Sequence, residues 1–221
     1  MSEADPTRTA PCTDERSDAD ERSDAGDSGE ILLVRHAETE WSRDGRHTGR
    51  TDIPLTDSGR DAARALAPAL AGRRFELVLV SPSRRARETC ELCGLGARAR
   101  PREDLLEWDY GEYEGLTTER IQATRPGWSL WRDGCPGGED AERVGARADS
   151  LIEELRAARG DVAVFSHGHL LRVLGARWIA LDPAQGARLI LSTGAVSGLG
   201  YEHGQAALSL WNANPLDSAT S

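Results

Sequence analysis

Three short apolar runs in this chain end in side chains able to handle a phosphate. Residues 31–34 lead directly into Arg35-His36, and residues 77–80 into Ser81-Pro82-Ser83 followed by Arg84, Arg85 and Arg87. Residues 161–165 lead into Ser166-His167-Gly168-His169. A histidine can act as a nucleophile, and the planar fork of an arginine matches phosphate oxygens. For Arg35-His36 alone a polar surface loop is the plainer reading. The same chemistry recurring at three strand ends argues against it. An open α/β sheet binds ligands at its strand ends, where two histidines and two or more arginines would form a phosphate site with a nucleophile.

The elements that must position these residues can be read from spacing. Residues 31–34 carry no polar alternation, as in a parallel strand covered on both faces. Thr56 is an N-cap candidate for a helix with Ala62, Ala63, Leu66 and Leu70 on one side. Ser83 is a second, for a helix reaching about Leu92. Arginines in its first turns oppose the helix dipole, a placement that makes sense beside an anion. A short helix is expected from Thr117 or Thr118. A long amphipathic helix over 139–159 carries Val144, Ala148, Leu151, Ile152 and Leu155 on one face, and a last helix spans 170–181. Residues 187–212 read as strands with Gly and Asn turns. Strands alternating with helices predict a three-layer α/β/α sandwich on a mostly parallel sheet.

Composition narrows the function. With 37 acidic against 27 basic residues the formal net charge is −10, which disfavours nucleic acid and anionic membrane as partners. Every basic residue is arginine. Without lysine there is no Schiff-base chemistry and no P-loop. Cys90 and Cys93 form one C-x-x-C within a helical pattern, with no second pair for a zinc site. Together with Cys12 and Cys135 they read as reduced thiols. No apolar run is long enough to span a membrane, and no signal peptide is recognisable, so a cytoplasmic location is expected. Residues 1–29 are polar and acidic, repeating Asp-Glu-Arg-Ser-Asp-Ala in tandem from Asp14. They are expected to form a disordered tail. A single domain is expected over 30–214, followed by a flexible C-terminus at 215–221. Oligomeric state is not legible.

Further motifs accompany the strand ends. They include Arg35-His36-Ala37-Glu38-Thr39, Arg46-His47-Thr48-Gly49, Pro54-Leu55-Thr56-Asp57-Ser58-Gly59 and Ser81-Pro82-Ser83-Arg84-Arg85-Ala86-Arg87-Glu88-Thr89. The segment 106–115, Leu-Glu-Trp-Asp-Tyr-Gly-Glu-Tyr-Glu-Gly, and Ser166-His167-Gly168-His169 complete the set. Over roughly residues 31–212 the chain resembles the histidine phosphatase superfamily, the phosphoglycerate-mutase-like branch 1. Its aromatic variant of the motifs is most similar to the small bacterial acid phosphatases, and also to the fungal sugar bisphosphatases. Ala37 stands where the family usually has glycine. Ser42 stands where many members have an asparagine that holds phosphate. Cofactor-dependent mutases carry a longer insertion between the acid and the second histidine; this chain is compact there.

The resemblance implies a phosphoglycerate-mutase-like fold and a metal-independent phosphomonoesterase acting on small phosphorylated metabolites, sugar phosphates or similar, without a cofactor. His36 would be the nucleophile, Glu107 the proton donor, and Arg35, Arg85 and His167 the ligands of the phosphoryl oxygens. Ser42 and Thr48 are further candidates for phosphate binding. The alternatives are a cofactor-dependent phosphoglycerate mutase and a catalytically silent protein that only binds a phospho-ligand. His47 lies either in the pocket or on a solvated loop. His169 reads as structural, His203 as a turn residue. Trp41, Trp108, Tyr110, Trp128 and Trp131 read as core, with a leaving-group wall as the second reading. Glu139 reads as a helix start.

Overall fold

The computed structural model describes residues 29–214. The expected disordered tail and flexible C-terminus lie outside the described residues, apart from Gly29 at the tail's end. In chain order the described elements begin with β1 (Ile31–Arg35), α1 (Glu40–Arg43), α2 (Asp57–Ala71), β2 (Phe75–Val80) and α3 (Arg84–Leu92). Next come β3 (Ala99–Pro101), α4 (Thr118–Thr124), α5 (Leu130–Asp133), α6 (Ala141–Ala157) and β4 (Asp161–Ser166). The series ends with α7 (Gly168–Trp178), β5 (Val196–Glu202) and β6 (Gln205–Ala213).

One six-stranded sheet runs in the order β3-β2-β4-β1-β5-β6. The pairs β2–β3, β2–β4 and β1–β4 are parallel; β1–β5 and β5–β6 are antiparallel. The alternation along β1 explains its unbroken apolar sequence. Ile31 and Leu33 pack with Leu79, Val162 and Val164 against α6 and α7. Leu32 and Val34 pack with Val78, Val80, Ala163 and Phe165 against α2 and α3. Both faces are therefore covered, as expected for the three-layer arrangement. Truncating a fully buried member such as Leu33 to alanine would cost about 2–5 kcal/mol.

Several local details differ from the sequence reading. Thr56 does cap α2, accepting from Gly59 N–H at 2.9 Å. Ser83 precedes α3 without a capping bond. The Asp52 carboxylate takes that role instead, accepting from Arg84 N–H at 2.7 Å. The long helix begins at Ala141 rather than at Glu139, capped by Asp140, which accepts from Arg143 N–H. The last helix spans Gly168–Trp178, ending before Ala180 at φ +59°. Within 187–212 the strands start only at Val196, because Pro183–Arg188 is a 3-10 turn. The short strand β3 has no sequence signal at three residues.

Candidate active site

Strands β1, β4 and β2 are adjacent and parallel, so their C-terminal ends reach one edge of the sheet. His36 leaves β1 there, its backbone N–H donating to Ser166 O at 2.9 Å. Its ring Nδ1 lies 2.8 Å from Ala37 O. A carbonyl only accepts, so Nδ1 carries the proton and Nε2 keeps its lone pair. Among the described residues nothing bonds to Nε2. Ala37 is itself buried against Leu55 and Ala63, and its N–H donates to Thr89 Oγ1. His36 lines a cavity of about 240 Å³. Its pKa lies well below the ordinary histidine value because burial, then the charges of Arg85 and Arg35, oppose the imidazolium.

Three cationic or potentially cationic groups surround it. Arg35 lines the cavity and donates from Nη1 to Leu191 O at 2.5 Å. Its Nε–H is buried and has no partner among the described residues. Gly168 makes room for this guanidinium: a Cβ there would stand 3.1 Å from Arg35 Cζ and Nε. Arg85 is fully buried and does not line the cavity. Its Nε donates to His167 Nδ1 at 3.2 Å, Nη1 to Thr51 O, and Nη2 to Thr48 O and Gly49 O. One Nη1–H remains. Because His167 Nδ1 accepts, its Nε2 carries the proton, facing Ser81 Oγ at 2.7 Å and Ser83 Oγ at 3.2 Å. The His36 and His167 rings meet edge to face, 5.3 Å apart. Arg84 and Arg87 stay exposed, so only the middle arginine of the three turns inward.

Glu107 lines the same cavity and is 7 % exposed. Its Oε1 accepts from Trp108 N–H and Leu170 N–H, both at 2.9 Å; Oε2 accepts from His169 N–H at 3.1 Å. Two of these donors are orphan amides in the first turn of α7. Oε2 keeps a free lone pair, which makes it the oxygen able to carry a proton. The Glu107 segment is fixed from behind by Arg147, which donates to Asp104 O and Leu106 O at 2.9 Å. The same guanidinium grips Glu139 with two bonds of 2.8 Å, and Glu139 accepts from Asp109 N–H. Glu139 thus holds the Glu107 loop and starts no helix.

Ser42 and Thr48 also line the cavity, but both hydroxyls donate to backbone carbonyls, Thr39 O and Arg46 O. His47 is buried against Tyr110, its ring centroid 4.7 Å away, and lines the cavity rather than a solvated loop. His169, read from sequence as structural, lines it too. Its Nδ1 lies 2.6 Å from Tyr110 Oη. Burial drives the Tyr110 pKa well above 10, so the phenol is the donor and His169 carries its proton on Nε2. Among the five aromatic candidates Trp108 is core, fully buried. Trp41 lies under Arg46. Trp128 and Trp131 line a second cavity of about 210 Å³, which shares His47, Thr118 and His169 with the first. Arg46, Thr118 and Tyr110 add polar groups to the wall of the first cavity that sequence alone does not reveal, because nothing in their spacing links them to residues 36 or 167. His203 is exposed on the β5–β6 turn. Among the described residues no group of three or more His, Cys, Asp or Glu could hold a metal ion. No described helix is long and apolar enough to cross a membrane.

A covered α/β sheet thus gathers two histidines, two arginines and a glutamate at the ends of adjacent parallel strands, an arrangement able to hold a phosphate. Residues 31–214 match the histidine phosphatase superfamily (branch 1), and the chain belongs to that family. It is 42 % identical over 179 residues to an acid phosphatase of Mycobacterium tuberculosis, covering 79 % of this chain and 87 % of that protein. It is 34 % identical over 182 residues to the sedoheptulose 1,7-bisphosphatase of Saccharomyces cerevisiae, covering 68 % and 67 %. A solved structure of an open reading frame product of Mycobacterium tuberculosis superimposes with a TM-score of 0.80 at 40 % identity, covering 85 % of this chain and 98 % of that one.

Proposed function

We propose that the chain is a phosphomonoesterase that needs no metal and hydrolyses small phosphorylated metabolites through a phosphohistidine on His36. One observation carries this reading: a neutral histidine with a free Nε2, His36, and an arginine whose buried Nε–H has no partner among the described residues, Arg35, line one cavity side by side. The ester phosphate places non-bridging oxygens on the Arg35 donors, with phosphorus facing Nε2. The N–P bond forms as the P–O ester bond breaks, and Glu107 Oε2 gives its proton to the leaving oxygen. The Nδ1–H bond to Ala37 O holds the ring while it gains positive charge. Glu107 then takes a proton from water as that water attacks phosphorus. Phosphate leaves, and His36 regains its lone pair.

Arg85 and His167 complete the field behind the nucleophile and follow the charge on the equatorial oxygens. Arg85 can do so through its remaining Nη1–H. For His167, direct contact requires Nε2–H to exchange Ser81 for a phosphate oxygen. Ser42 and Thr48 bind at the rim once their hydroxyls leave Thr39 O and Arg46 O. The buried free thiols of Cys90, Cys93 and Cys135 suit a reducing compartment, and the reading includes the cytoplasm. The test is phosphate release from phenyl phosphate with chelator present. Wild type should turn over, and His36→Ala should fall to background. Activity that persists in His36→Ala would overturn the reading, and phosphate returned to a phosphoglycerate substrate instead of leaving to water would identify a mutase.

A further inference from the structure

The second cavity gives the leaving group a chemistry of its own. It adjoins the phosphate cavity through His47, Thr118 and His169, so a group esterified to the bound phosphate has space to extend into it. Its other lining includes Gln122, Trp128, Ser129 and Trp131. None of these carries a formal charge. Burial lowers the His47 pKa to about 4 and the His169 pKa well below the usual range, so both rings are neutral near pH 7. The polar atoms are of a kind that binds hydroxyls. His169 presents Nε2–H, its tautomer fixed by the Tyr110 phenol. Thr118 contributes a hydroxyl, and the Gln122 amide, which donates to Trp128 O at 2.9 Å, keeps its carbonyl oxygen free to accept. The Trp128 and Trp131 rings supply apolar surface for the carbon skeleton.

The nearby arginines are engaged elsewhere. Arg172 stacks on Trp131 at 4.6 Å from the ring centroid, while its Nε and Nη2 donate to Gly186 O and Ala187 O. It does not line the cavity. Arg46, at the rim of the phosphate cavity, pairs with Asp44 at 3.4 Å. Arg35 lines the phosphate cavity and not this one.

We infer that this cavity is the leaving-group subsite and that it selects uncharged, hydroxylated leaving groups over those bearing a second anionic group. The inference rests on the phosphatase reading above. A carboxylate or second phosphate in this space loses water without gaining a cationic partner, whereas a hydroxyl finds donors and acceptors in place.

The test compares glycerol 3-phosphate with 3-phosphoglycerate, which share a three-carbon skeleton and differ by a hydroxymethyl against a carboxylate. The wild-type kcat/KM should favour glycerol 3-phosphate by about tenfold or more, the difference residing mainly in KM. Gln122 is exposed at the cavity edge, so Gln122→Arg should fold, and the added cation should narrow the ratio severalfold by improving 3-phosphoglycerate. His169→Gln keeps a donor but loses the ring fixed by Tyr110. It should raise KM more for glycerol 3-phosphate than for phenyl phosphate, which has no hydroxyl beyond the ester. A wild-type ratio near one, a preference for 3-phosphoglycerate, or a ratio unmoved by Gln122→Arg would overturn the inference while leaving the phosphatase reading intact. Failure of wild type to release phosphate from any of the three esters would instead sink that underlying reading.

Discussion

Acid pH should destabilise this protein through its buried histidines, and His47 makes the effect measurable. Burial lowers its pKa from 6.5 to about 4, with Glu114 opposing the shift only in part. The unfolded chain therefore binds a proton at His47 that the folded chain refuses between these two values. Stability linked to His47 is fully present above pH 6.5 and is lost as pH falls toward 4. A displacement of this size corresponds to about 3 kcal/mol between pH 7 and pH 4, at 1.36 kcal/mol for each unit. His47→Phe keeps an aromatic ring against Tyr110 and Trp128 but takes up no proton. Urea denaturation of both proteins at pH 7, 6, 5 and 4 isolates the term, because all other acid-sensitive groups are common to the pair. Wild type should lose about 3 kcal/mol more than the variant over that span. Parallel pH profiles would refute the argument. They would mean that His47 is hydrated in the folded protein or already protonated at pH 7.

Other expectations follow from the site. Arg85→Ala should lower kcat by about 10²–10³, and Arg85→Lys should recover only part, since a point charge cannot serve His167 and three carbonyls at once. A wild-type kcat in Arg85→Ala would move the clamp elsewhere. Glu107→Gln should cost about 10²–10⁴ on an alkyl phosphate. It should cost much less in the single-turnover burst on p-nitrophenyl phosphate, whose leaving group needs no proton. Equal losses on both esters would remove Glu107 as the acid. Because His36 is held neutral by burial and by Arg85 and Arg35, protonation of the nucleophile should not limit kcat/KM until pH falls well below 6.5. An acid limb at pH 6.5 assigned to His36 by its loss in a proton-inventory or NMR titration would contradict that shift.

The frame of this fold was legible because it rests on short-range patterns. The apolar runs at 31–34, 77–80 and 161–165 became the three adjacent parallel strands whose ends carry His36, Arg85 and His167. Thr56 and the apolar face of α6 also read correctly, being matters of spacing within one element. The supports of the site were not legible, because they join residues far apart in sequence. Tyr110 reaches His169 across 59 positions and Arg147 reaches Asp104 across 43, and neither leaves a local trace. Ser83 misled as a cap because Ser and Asp serve that role alike; the tertiary fold gave it to Asp52 and turned Ser83 toward His167. Whether an arginine beside a strand end faces the cavity or lies behind it is a matter of packing. Arg35 and Arg85 look alike in sequence, yet only Arg35 lines the cavity.

The most direct test of the central claim is to trap the intermediate. Enzyme mixed with a ³²P-labelled phosphate ester is quenched in alkali within one turnover, digested, and the labelled peptide mapped. The account predicts an alkali-stable, acid-labile label on His36, absent from His36→Ala. A label on any other residue, or full wild-type turnover with no label at any quench time, would contradict it.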